Sequence, residues 1–111
     1  MITETASVGN VRRRSSWLNQ SVAAVRECRE SGVPVVGYTW WPMFALVTWG
    51  YRQQGLKELS EYILQMGLWD FDVKGADPLK RVETSLVEEY KQMVTAEDKV
   101  VGQLRRPVGR A

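Results

Sequence analysis

Apolar positions along the chain fall into spacings that predict its elements. Leu18, Val22, Val25 and Cys28 recur at steps of four, three and three, the period of one helix face. A helix over residues 17–31 is expected, with Ser15-Ser16 offering its N-cap and Gly32 its left-handed C′ position. Arg26, Glu27, Arg29 and Glu30 keep much of its remaining surface polar. Residues 33–38, Val-Pro-Val-Val-Gly-Tyr, are β-branched and almost continuously apolar, the pattern of a strand in a parallel sheet covered on both faces. Leu56, Leu59, Ile63 and Met66 predict a short helix halted by Gly67. Val82, Leu86, Tyr90 and Met93 place one stripe on a last helix over residues 82–94. Gly75-Ala76-Asp77-Pro78 between them reads as a turn. Residues 102–111 lack periodicity, and a disordered tail is expected over 99–111.

Met1-Ile2-Thr3-Glu4 reads as the end of one more strand. The order is then strand end, helix, strand, long loop with a short helix, helix. That is an α/β pattern, belonging to an open parallel sheet or a (β/α) barrel. Two parallel strands neither close a barrel nor fill a sheet. A complete (β/α)8 barrel needs about 250 residues, and this chain has 111. It is either a piece of something larger or a small α/β unit that pairs with another chain.

Composition narrows the chemistry. Lysine and arginine total 15 against 13 acidic residues, a balance that argues against a nucleic-acid binder. Histidine is absent, which removes Ser-His-Asp and Cys-His catalysis and every histidine-ligated metal site. The single cysteine, Cys28, allows no internal disulfide or cysteine-based zinc cluster, and its place on an apolar stripe predicts a small core residue. Asp70 and Asp72 share a strand face but lack a third oxygen ligand, so no metal and no cofactor is expected. No basic-then-apolar leader opens the chain, and Asn19-Gln20-Ser21 is read as a chance sequon. The expected setting is cytoplasmic.

Residues 31–51 carry no charge and are long enough to span a bilayer. Pro34, Gly37, Pro42 and Gly50 interrupt them, and Pro42 would break a helix near its middle. A strand running into a loop is expected instead, with no membrane span.

The same residues carry a resemblance. Gly37-Tyr38-Thr39-Trp40-Trp41-Pro42-Met43-Phe44-Ala45-Leu46-Val47-Thr48-Trp49 aligns without a gap to Gly-Tyr-x-x-Trp-Ser-Leu-x-Asp-Asn-x-Glu-Trp. That pattern is the strand-8 segment of glycoside hydrolase family 1, the β-glucosidase group. Ile2-Thr3-Glu4-Thr5 resembles the Ile-Thr-Glu-Asn-Gly that ends strand 7. Gly67-Leu68-Trp69-Asp70-Phe71-Asp72 is similar to the Gly-Leu-x-x-Val-Asp beyond the strand-8 loop, and residues 81–90 echo the start of the last helix. The resemblance covers about residues 2–96. It implies the C-terminal portion of a TIM barrel, from the end of strand 7 to helix 8, within residues 1–98. It also implies retaining O-glycoside hydrolysis, with Glu4 as nucleophile, Trp41 and Trp49 lining the sugar site and Thr48 at a substrate-binding position. A carbohydrate would be the substrate once an N-terminal part completes the site.

Residue types fit that chemistry. A retaining glycosidase needs two carboxyl groups about 5 Å apart, a nucleophile and an acid/base. In a (β/α)8 barrel such groups sit at the C-terminal ends of strands, and flat indole rings suit the apolar faces of sugars. The departures are equally specific. Thr48 stands where the family has a hydroxyl-binding glutamate, Ala45 replaces its aspartate, and Thr5-Ala6 replaces Asn-Gly. No Asn-Glu-Pro tripeptide supplies an acid/base, so the chain alone is expected to be inactive.

The competing reading is a small non-enzymatic interaction protein that dimerises or docks on a partner through its apolar, tryptophan-rich face. In it Glu4 is a solvated charge and Trp49 a surface plug. On either reading Trp40 is expected in the core, and Arg12-Arg13-Arg14 on a solvated face.

Overall fold

The first three elements form a β-α-β unit. In the computed structural model, which describes residues 1–53, 58–77 and 79–105, strand β1 (Ile2–Thr5) leads into helix α1 (Val11–Glu30) and then strand β2 (Tyr38–Trp40). β1 and β2 pair in parallel, Ile2 opposite Tyr38 and Thr5 opposite Trp40. Strand β3 (Leu46–Val47) pairs antiparallel with β4 (Ile63–Leu64). Strand β5 (Trp69–Phe71) pairs antiparallel with β6 (Arg81–Glu83), and helix α2 (Ser85–Arg105) follows. The α/β class expected from the sequence holds at this level: mixed helices and strands, with one parallel pair joined through a helix.

α1 begins six residues earlier than its apolar stripe predicts. Asn10 caps it, its side-chain oxygen accepting from the Arg13 backbone N–H at 2.8 Å, so Ser15 and Ser16 lie inside the helix. Gly32 at φ +92° ends it as expected. The face turned to the core then runs through Arg14, Leu18 and Val22, which are buried, while Cys28 at the far end is exposed. Cys28 is therefore not a core residue.

The second strand is displaced from its expected place. Residues 33–37 form no strand, and Val33 and Val36 are 50% and 83% exposed. Pro34 lacks the N–H a ladder needs, and pairing starts where Tyr38 meets β1. Trp40, 6% exposed, is in the core as the sequence predicts. The short helix expected through Leu59, Ile63 and Met66 is instead a 3-10 turn, Leu59–Tyr62, followed by β4; Leu56 lies outside the described residues. Val82 belongs to β6, and α2 starts at Ser85, where the Thr84 hydroxyl accepts from the Leu86 N–H at 3.1 Å. The expected turn closes with the Gly75 N–H donating to the Asp72 carbonyl at 3.2 Å, Pro78 being outside the described residues. α2 continues to Arg105, beyond the expected tail boundary, and residues 106–111 lie outside the described residues.

One core joins these pieces. Leu18 and Val22 of α1, Trp40 of β2, Leu68, and Leu86 and Val87 of α2 are buried together, with Tyr38, Tyr90 and Met93 packed against them. Both helices thus lie on one side of the β1–β2 pair. Among the described residues no helix is long and apolar enough to cross a membrane.

Candidate functional site

Two hydrogen bonds fix which way the parallel strands face. The Thr5 hydroxyl accepts from Trp17 Nε1 of α1 at 2.9 Å, and the Tyr38 hydroxyl lies 2.6 Å from that of Ser21, also on α1. Thr5, Tyr38 and the buried Trp40 therefore point to the helix layer. Side chains alternate across a strand, so Thr39 belongs to the opposite side, and it is exposed, as are Glu4 and Trp41. β1 advances from Ile2 to Thr5 while β2 advances only from Tyr38 to Trp40, an inserted residue that shifts the register. Such a bulge re-aims a side chain at the end of a strand. Here it falls within the stretch that carries the exposed Glu4.

The Trp41 backbone N–H donates to the Thr5 carbonyl at 3.2 Å. Glu4 and Trp41 consequently stand at the C-terminal ends of neighbouring strands. Trp41 is 45% exposed. Thr48 and Trp49 are placed by another element. The Thr48 N–H donates to the Tyr62 carbonyl at 2.7 Å beside the β3–β4 ladder, and Trp49 begins a 3-10 turn, Trp49–Gln53. Trp49 is 78% exposed, with the Arg52 guanidinium 4.5 Å above its ring centroid. The β1–β2 pairing therefore sets Glu4 and Trp41 at neighbouring strand ends, while Thr48 and Trp49 stand on the hairpin that follows.

The arginine run is not one solvated face. Arg12 and Arg13 are exposed, but Arg14 is completely buried. Its Nε donates to the Gly9 carbonyl at 2.9 Å and its Nη1 to the Gly67 carbonyl at 2.7 Å, and Nη1 lies 2.7 Å from Asp70 Oδ1. Asp70 is thus engaged in an ion pair, and no group of three or more potential metal ligands occurs among the described residues. The signal for Arg14 was in its spacing, four residues before Leu18 on the buried stripe.

A second concavity lies at the other end of β2, between the C-terminal half of α1 and the middle of α2. Tyr38 contributes to it, and burial pushes the Tyr38 phenol above its usual value, opposed by the Ser21 hydrogen bond and aided by nearby Tyr90. Comparison of the chain with protein-family models, curated proteins and solved structures gives no match.

Proposed function

We propose that this chain is the C-terminal portion, from the end of strand 7 to helix 8, of a (β/α)8 barrel of the retaining glycoside hydrolase type. A complementary N-terminal part completes it. The observation that carries this reading is the parallel β1–β2 pair joined through α1, whose adjacent strand ends bear the exposed Glu4 and Trp41. In a (β/α)8 barrel the C-terminal strand ends carry the chemistry.

In this reading the Glu4 carboxylate attacks the anomeric carbon, and water later releases the sugar from the resulting ester. Trp41 and Trp49 supply flat walls for the sugar, and Thr48 a hydroxyl where the resembled family uses a carboxylate. The proton donor for the leaving oxygen comes from the N-terminal part. Its loss removes a factor of roughly 10²–10⁴, and the open face admits water to what remains.

The test is turnover of 4-nitrophenyl β-glycosides. The chain alone is expected to be inactive. Joined to an N-terminal part with six β-α units and an Asn-Glu-Pro strand end, it should hydrolyse one of them with retention. Glu4→Gln should then lower kcat by about 10³-fold or more. Because Glu4 is exposed, the same change should alter stability by less than about 0.5 kcal/mol. Turnover by the isolated chain, or turnover indifferent to Glu4→Gln, would contradict the reading.

A further inference from the structure

The concavity between α1 and α2 measures about 280 Å³. Val22 and Val25 of α1, Val35 ahead of β2, and Met93 and Val94 of α2 give it apolar walls. Arg26 and Arg29 line it as well, and both are exposed. The hydroxyl-bearing rings of Tyr38 and Tyr90 complete the lining.

We propose that this cavity binds a straight-chain monocarboxylate of roughly ten carbons, its chain among the valines and Met93 and its carboxylate at Arg26 and Arg29. An apolar hollow with a few polar groups at one end fixes both the position and the direction of an amphiphile. Each guanidinium carries five N–H donors in a fork suited to a carboxylate. All the lining residues belong to this chain. The cavity adjoins the residues that enter β2, whereas Glu4 and Trp41 stand at the strand exits. The site is therefore independent of the glycosidase reading.

Carboxyl-labelled decanoate below its micellar concentration, titrated into the full 111-residue chain and followed by carbon NMR, tests the proposal. One saturable site per chain is expected, with Kd at or below about 100 µM. Val94→Trp fills the cavity from a position already 44% exposed and should weaken binding at least about tenfold. Val25→Trp provides a second filling variant, and circular dichroism verifies the helices of both. Replacing Arg26 and Arg29 together by Gln should weaken decanoate about tenfold and leave decanol unchanged. Non-saturable binding, or affinity unaltered in either folded tryptophan variant, would overturn the site. Decanol and decanoate binding equally, both indifferent to the arginine change, would overturn the carboxylate assignment.

Discussion

Arg14 sits in a run of three arginines, yet its side chain is 1% exposed. A buried guanidinium is tolerable only when its donors are met. Here the Gly9 carbonyl, the Gly67 carbonyl and the Asp70 carboxylate meet them, so one side chain ties the β1–α1 connection to the segment entering β5. Arg14→Met should cost ~3 kcal/mol in chemical denaturation, less than a fully buried pair because Asp70 is 25% exposed. Adding Asp70→Leu should recover part of that loss, since no carboxylate is then left unpaired. A single-variant cost under about 0.5 kcal/mol would show that the pair is solvated in solution. The charges of residues 12–14 read as one surface cluster when only composition is weighed; the helical period separates Arg14 from its neighbours. Cys28 erred oppositely, because a stripe read from a late start extends too far toward the C-terminal end.

At the scale of elements, long periods were readable and short ladders were not. The faces through Leu18 and Val22, and through Leu86, Tyr90 and Met93, were legible because a helix repeats its spacing over several turns. β3, β4, β5 and β6 hold two or three residues each. Their pairing is set across the chain by registers such as Leu46 opposite Leu64 and Trp69 opposite Glu83, which no local pattern encodes. Gly67 marks the difference. It reads in sequence as a helix stop, but its role is close approach: a Cβ there would stand 2.6 Å from the Met43 carbonyl oxygen and from the Phe44 carbonyl carbon. The Leu68 and Trp69 N–H groups donate to that same Met43 carbonyl at 2.8 and 3.0 Å, so the backbone has little room to yield. Gly67→Ala should therefore cost ~1–3 kcal/mol and lower Tm; an unchanged Tm would mean that the 43–69 contact is loose.

At the scale of the molecule, the β1–β2 pair packs Tyr38 and Trp40 against both helices, while Glu4 and Thr39 are exposed. The radius of gyration is 18.2 Å, against about 13 Å for a compact chain of this length. Trp41, Met43, Val47, Trp49 and Tyr51 are all more than 40% exposed. A two-stranded parallel pair with free edges is a template for further strands, which the proposed barrel would supply on both sides. The parallel β-α-β order was legible in the sequence. The register of its two strands was not, because it shifts between Ile2 and Thr5 where Thr5 also accepts a hydrogen bond from Trp17. The barrel reading is tested most directly by the DNA sequence immediately upstream of the Met1 codon, read in all frames. The expected result is coding sequence for six further β-α units with an Asn-Glu-Pro strand end, carried in frame or on a neighbouring gene. Unrelated sequence with a clean stop and a ribosome-binding site would contradict it, and would leave the exposed, tryptophan-rich face as the docking surface of a small interaction protein.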